Sequence, residues 1–112
     1  MRIYKILPQS EWRAAKALGS FEGSAADRQD GYIHFSTAAQ AQETARRHFA
    51  GRDGLVVLEV ESGDIAGGLR WEPSRGGDLF PHLYGSLAAA DVHAVHPAPL
   101  GPDGVPQLPP LA

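Results

Sequence analysis

Residues 55–60 read Leu-Val-Val-Leu-Glu-Val, and this nearly continuous apolar run decides how the rest of the chain is interpreted. A strand with one face in water alternates apolar and polar residues, whereas an unbroken apolar run indicates a strand that is buried on both faces. The sequence therefore predicts a central strand over residues 55–60. Other strands must flank it, and other elements must cover both of its faces.

Further strands and helices are predicted around this central strand. Alternation and flanking turn residues predict strands over residues 2–7, 32–35, 69–72 and 91–96. One helix is expected over residues 11–18 between an N-cap at Ser10 and a stop at Gly19, and a second over residues 38–50 after a capping box from Thr37 to Gln40. Residues 20–30 show no period and predict a loop. Strands and helices do not alternate regularly, so the predicted fold class is α+β.

The length and the proline distribution predict one domain with a tail. The chain has 112 residues, with 43% apolar and 21% charged residues, which suits a single globular domain over residues 1–97. Six of the nine prolines lie from Pro97 onward. We therefore expect residues 98–112 to form an extended, Pro-rich tail that folding does not require.

Composition also disfavours several classes of function. The chain has no cysteine, which removes disulfides, thiolate nucleophiles and the usual structural zinc sites, and no metal site is predicted. The net charge is −3 and the basic residues are scattered, which disfavours nucleic-acid binding. The sequence holds no signal-like segment and no apolar run of membrane-spanning length, so a cytoplasmic protein without a membrane partner is expected.

The segment Gly31-Tyr-Ile-His-Phe-Ser-Thr37 is the first candidate for chemistry. On a strand, Tyr32, His34 and Ser36 share one face, opposite the apolar residues of the segment. The polar face could meet water or line a site. Thr37 could cap the following helix or add a hydroxyl to an anion held by the free amides of the helix start.

The segment Phe80-Pro-His-Leu-Tyr-Gly85 is the second candidate. Pro81 fixes the backbone and Gly85 permits a sharp turn, so His82 and Tyr84 arrive on one face as an imidazole and a phenol. Such groups orient a flat ring or a sugar in a pocket. The alternative is a buried turn in which both side chains bond to the backbone.

The order of these segments resembles that of one bacterial family. The matching segments are IYKIL at residues 3–7, Trp12, GYIHFST at 31–37 with the alanine-rich helix after it, LVVLEV at 55–60, Trp71-Glu72 and FPHLYG at 80–85. Over about residues 2–96 the chain resembles the family known as domain of unknown function 952.

The resemblance implies a fold and a ligand. The family is similar in fold to ADP-ribosyltransferases, which bind NAD in a cleft of a split, strongly bent sheet. It therefore implies a single α+β domain with a bent or split, mainly antiparallel sheet and two main helices. His34, Ser36 and Thr37 match the second-strand segment of those enzymes, and Glu72 is the candidate for their late acid. Family members often have histidine where this chain has Lys5, which can still pair with a phosphate.

Three functions follow as hypotheses. The first is an enzyme of the ADP-ribosyl or glycosyl transfer type that takes a nucleotide-like ligand, with NAD as a candidate ligand or substrate. The second is a ligand-binding module without catalysis, and the third is a protein-interaction domain. Lys5 and the insecure match of the acid favour the second over the first. The candidate catalytic residues are His34, His82 and Glu72, and the candidate ligand-binding residues are Tyr4, Lys5, Ser36, Thr37, Tyr84 and Gly85.

Overall fold

The structure, a computed structural model, describes residues 1–111, with Arg75 described by its backbone alone. The strands are β1 (Arg2–Pro8), β2 (Ser20–Phe21), β3 (Ile33–His34), β4 (Ser36–Thr37), β5 (Leu55–Glu61), β6 (Leu69–Pro73), β7 (Leu79–Leu83), β8 (Leu87–Ala88) and β9 (Val92–Ala98). The α-helices are α1 (Gln9–Leu18), α2 (Ala25–Asp30) and α3 (Ala38–His48). The chain forms a single α+β domain with three α-helices and antiparallel strand pairs, which confirms the predicted class.

The largest sheet has four strands in the order β4-β1-β5-β9. The central position predicted for residues 55–60 is confirmed, because β5 pairs with β1 on one side and β9 on the other. Val56 and Leu58 enter one hydrophobic core, while Leu55 and Val57 enter a second core on the opposite face. The apolar run is therefore explained by burial on both faces.

The two longer helices cover the two faces of this sheet. Trp12 and Ala15 of α1 enter the same core as Val56, and Ala41 and Ala45 of α3 enter the other. A three-stranded sheet in the order β3-β7-β6 and a two-stranded sheet of β2 and β8 complete the domain. None of the helices within residues 1–111 reaches the length and hydropathy that a membrane crossing requires.

Three local predictions are corrected by the structure. Helix α1 begins at Gln9, directly after an extended Pro8, so the predicted cap at Ser10 is wrong. Helix α3 ends at His48 rather than residue 50. Residues 20–30 are not a loop, because they contain β2 and α2. A capping box between Ser24 and Asp27 starts α2, since each side chain bonds the backbone of the other.

The strand predicted over residues 32–35 is shortened to β3, and the second short strand β4 follows it in a different sheet. Strand β3 pairs with β7, whereas β4 pairs with β1. The chain changes sheets at Phe35, whose backbone N–H donates to the carbonyl of Pro81 at 3.0 Å. Within the described residues, β4 pairs with β1 only at Ile3 and Tyr4. Residues 5–8 of β1 therefore have a strand partner on the β5 side alone, and the sheet splits along them.

The Pro-rich tail lies against the domain. Strand β9 continues to Ala98, and Pro97 is tolerated because β9 is an edge strand. Pro106 is fully buried, and Leu108 packs on the core beside α3. Gln42 of α3 also donates to the Pro106 carbonyl at 2.9 Å. The division of the chain at residue 97 stays a prediction about folding, but the described part of the tail packs against α3 and the core beside it.

Candidate functional site

A cavity of about 530 Å³ opens where the sheet splits. Its walls come from the free side of β1, from α2, from the region of β3, β4 and β7, and from the end of α3. The charged and polar lining residues are Lys5, Glu11, Ser24, Asp27, Asp30, His34, Ser36, Thr44, His48, Arg52, Ser74 and His82. The aromatic lining residues are Tyr4, Phe35, Phe49 and Phe80, with His34 and His82 adding imidazole rings. The cavity therefore combines apolar ring surface with ionisable groups.

Asp27 is the centre of the buried polar network in this cavity. Its side chain is 2% exposed, and the ammonium of Lys5 lies 2.8 Å from Oδ2 and 2.9 Å from Oδ1. Nδ1 of His34 lies 2.6 Å from Oδ1, and the backbone N–H of His34 donates to the same oxygen at 3.1 Å. The backbone N–H of Ser24 donates to Oδ2 at 2.9 Å. The carboxylate thus links β1, α2 and β3.

These contacts decide the charge of Asp27. Burial alone would raise the pKa of its carboxyl, but the hydrogen bond from His34 and the charge and hydrogen bond of Lys5 outweigh burial. The pKa of Asp27 is therefore well below its usual range. Burial lowers the pKa of Lys5, and the negative charge of Asp27 offsets part of that effect. Asp27 is therefore an anion that holds Lys5 and His34 in place.

The second ring nitrogen of His34 also contacts a carboxylate. Nε2 lies 2.8 Å from Oδ2 of Asp30, the last residue of α2. A doubly protonated ring donates to both carboxylates, whereas a neutral ring leaves one of them without a donor. His34 therefore ties both ends of α2, through Asp27 and Asp30, to the strand that carries it.

His82 belongs to a different carboxylate pair. Its side chain is 4% exposed, and Nδ1 lies 2.8 Å from Oε1 of Glu72 on the neighbouring strand β6. The hydroxyl of Tyr84 donates to the same oxygen at 2.7 Å. These hydrogen bonds, first from His82 and then from Tyr84, lower the pKa of the Glu72 carboxyl. Glu72 therefore remains ionised at neutral pH and orients the imidazole of His82.

The two histidines face each other across a strand pair. His34 on β3 is the register partner of His82 on β7, and their ring centroids are 5.7 Å apart. Tyr32 stacks on His82 with centroids 4.0 Å apart and ring planes 18° apart. Strand pairing thus brings together two histidine segments that are distant in sequence.

The structure brings together some of the predicted site residues and separates others. Tyr4, Lys5, His34, Ser36 and His82 line the cavity. Ser36 is buried, and its hydroxyl lies 2.9 Å from that of Thr44. The cavity lining does not include Thr37, Glu72, Tyr84 or Gly85.

The residues outside the cavity have identifiable local contacts. Thr37 forms the predicted capping box with Gln40, whose side-chain oxygen accepts from the Thr37 backbone at 3.0 Å. Glu72 and Tyr84 contact each other behind His82, so Glu72 reaches the cavity only through that ring. Gly85 is exposed with a φ of 137°, a conformation that favours glycine.

Sequence reasoning missed Asp27 and Asp30. Both lie in the segment predicted as a loop, and each contacts a nitrogen of His34. The signal was present, because Ser24 and Asp27 have the spacing of a capping box. That spacing predicts the start of α2, but the ion pair between Asp27 and Lys5 joins distant segments and has no local signature.

The site offers acid–base groups and hydrogen-bonding groups. Within the part of the chain that the structure describes, no group of three or more histidine and carboxylate side chains is placed to hold a metal ion. The cavity offers two imidazoles, a buried ion pair and aromatic rings within one space. These groups suit the orientation of a polar small molecule.

Comparisons with known proteins place the chain in a family. No curated protein matches the chain. An X-ray crystal structure of the protein CC0527 from Caulobacter crescentus is similar, with 53% sequence identity, a TM-score of 0.94, and coverage of 96% of this chain and 95% of that one. The solution NMR structure of CC0527 has the same identity, a TM-score of 0.86, and coverage of 96% and 92%. The model of the family described as "Protein of unknown function (DUF952)" matches residues 6–95, and the chain therefore belongs to that family.

Proposed function

We propose that the cavity at the split of the sheet binds a small, nucleotide-like molecule. The observation that carries the proposal is the cavity itself, whose volume of about 530 Å³ lies within the range of small-molecule sites, about 300–1,000 Å³. Its lining combines aromatic and aliphatic surface with converging polar groups, and such sites use both to hold and orient a ligand.

The aromatic and basic lining favours a ligand with a flat ring and an anionic part. Four aromatic residues line the cavity together with the two histidines, and aromatic surface suits a base or a nicotinamide ring. Arg52 also lines the cavity, and its guanidinium lies 5.3 Å from the ring centre of Phe49. Among the described residues no carboxylate pairs with Arg52, so its charge is available to a phosphate.

The resemblance to ADP-ribosyltransferases makes NAD and ADP-ribose the first ligands to test. An enzyme of ADP-ribosyl or glycosyl transfer would use His34 or His82 beside the bound sugar. A binding module without catalysis is the second candidate, and a specific observation favours it. Lys5 is neutralised by Asp27, and both nitrogens of His34 face carboxylates, so these groups are already engaged in the ligand-free protein.

A thermal-shift series tests the proposal. NAD, ADP-ribose, ATP and AMP are each added to the wild-type protein and to Arg52→Ala. A ligand at 100 times its Kd stabilises the fold by about 2.7 kcal/mol, and Arg52→Ala should lower that stabilisation. Arg13→Ala is the matched control, because Arg13 is an exposed arginine on α1 outside the cavity lining.

The outcomes separate the candidate functions. Stabilisation with release of nicotinamide from NAD supports the transferase, and stabilisation without turnover supports the binding module. If none of the four compounds stabilises the wild-type protein, the nucleotide proposal is wrong. Equal losses in Arg52→Ala and Arg13→Ala would show that binding occurs elsewhere.

A further inference from the structure

The two carboxylate–histidine pairs of the cavity differ in one respect. In His34, Nδ1 contacts Asp27 and Nε2 contacts Asp30, so both nitrogens are engaged within the protein. In His82, Nδ1 contacts Glu72 at 2.8 Å, and no described residue hydrogen-bonds Nε2. Both ring nitrogens of His34 therefore have partners within the protein, whereas Nε2 of His82 has no hydrogen-bond partner among the described residues.

The free nitrogen of His82 is accessible. Within the described residues, the one fully buried side-chain nitrogen or oxygen without a hydrogen-bond partner is Nη1 of Arg2. Nε2 of His82 is not such an atom, so it retains a small exposed area although the residue as a whole is 3% exposed. Because His82 lines the cavity, this small exposure is available to a molecule inside it.

We propose that Glu72 holds His82 as the Nδ1–H tautomer, so that Nε2 presents its lone pair to the cavity and accepts a hydrogen bond from a hydroxyl of the bound ligand. The inference rests on the proposed small-molecule function and adds the class of group recognised, a sugar hydroxyl. His82 is then the residue that recognises a ribose hydroxyl. Glu72 is a positioning residue, which acts through His82.

The surroundings of His82 support this division of roles. A neutral imidazole has one donor and one acceptor nitrogen, and a carboxylate at Nδ1 selects the tautomer with the proton there. Tyr84 donates to the same Glu72 oxygen and fixes its position. Tyr32 stacks on the ring and fixes its plane. The lowered pKa of Glu72 agrees with a carboxylate that stays an acceptor.

Nitrogen-15 NMR of the histidine rings tests the tautomer without any ligand. The expected result for the neutral ring of wild-type His82 is a proton on Nδ1, with a shift of the population toward Nε2–H in Glu72→Ala. Tyr84→Phe is the control, because it keeps an aromatic ring at position 84 and retains the contact between Glu72 and His82. His82 should therefore keep its Nδ1–H form in this variant. A wild-type ring protonated at Nε2, or an unchanged tautomer in Glu72→Ala, would overturn the inference.

A comparison of ATP with 2′,3′-dideoxy-ATP tests the hydroxyl contact. The wild-type protein should lose about ten-fold in affinity for the dideoxy compound, since one well-aligned hydrogen bond contributes about 1.4 kcal/mol. His82→Phe keeps a ring stacked on Tyr32 but has no nitrogen, and it should bind the two compounds about equally. Discrimination that persists in His82→Phe would show that another group contacts the hydroxyls. If neither compound binds, the hydroxyl assignment and the nucleotide proposal both fail, while the NMR result still decides the tautomer.

Discussion

The substitution Asp27→Asn should destabilise the protein by about 3–5 kcal/mol, the range found when one partner of a buried ion pair is removed. Asp27 is 2% exposed and Lys5 has a side-chain exposure of 6%, so water compensates little for the lost carboxylate. The asparagine keeps nearly the same shape, so the change removes the charge and one acceptor oxygen without opening a cavity. Lys5 is then left as a buried cation without its hydrogen-bonded counterion, and only the charge of Glu11 still acts on it.

The pH dependence of this variant provides a sharper test than its stability at one pH. Without the carboxylate, burial lowers the pKa of Lys5 in the folded state still further below the value of about 10.4 in an unfolded chain. The native state then binds fewer protons than the unfolded state between these two values. The free energy of unfolding of Asp27→Asn should therefore rise with pH, by at most about 1.4 kcal/mol per pH unit, until it levels off near pH 10.4.

Urea denaturation followed by circular dichroism measures both effects, and Lys5→Met supplies the double-mutant cycle. The double variant Lys5→Met with Asp27→Asn should be more stable than Asp27→Asn alone, because no unpaired buried cation remains. A loss below about 1 kcal/mol in Asp27→Asn, or a stability that does not rise with pH, would refute the view that Asp27 and Lys5 form an ionised, buried pair.

Three further changes test other parts of the structure. Truncation after Ala98 should lower the free energy of unfolding in urea by about 2–4 kcal/mol, because the removed tail covers the core beside α3; an unchanged value would show the dispensable tail that the sequence predicted. Gly68→Ala should cost about 1–3 kcal/mol, since its Cβ would lie 2.7 Å from the carbonyl oxygen of Tyr84, whereas Gly67→Ala meets nothing within 4 Å and should change stability little in the same assay. The folded-state pKa of Asp27 lies below the unfolded-state pKa of about 4, so the wild-type protein should lose stability as the pH falls from about 4 toward the folded-state pKa. Asp27→Asn lacks this carboxyl, so acid titration of the variant should show a smaller loss of stability.

The parts of the fold that depend on local pattern were predictable. The apolar run of residues 55–60 predicted a strand buried on both faces, and β5 occupies that position. The capping box at Thr37 predicted the start of α3, because the signal and the structure involve the same four residues. Alternation predicted that each histidine segment has its polar side chains on one face, and strand pairing places His34 opposite His82.

The parts that depend on tertiary pairing were not predictable. The strand expected at residues 32–35 ends before Phe35, because β3 and the following β4 find partners in different sheets. No alternation pattern distinguishes one strand from two that change partners. The contact of Glu72 with His82 was not predicted for a similar reason, although Glu72 itself was a candidate site residue. Its neighbour in the register is Phe80, and its contact with His82 requires knowledge of how β6 pairs with β7.

The pairing of β3 with β7 has a consequence for the order of events during folding. His34 and His82 meet only after a long segment of chain, including the central strand β5, has closed a loop between them. Closing such loops costs entropy before the contacts form, and chains rich in distant pairings fold slowly for that reason. Intermediates that contain only α1, α3 or the pairing of β1 with β5 therefore have no complete cavity. A ligand that binds there would stabilise the finished native state alone, and we expect it to slow unfolding rather than to accelerate folding.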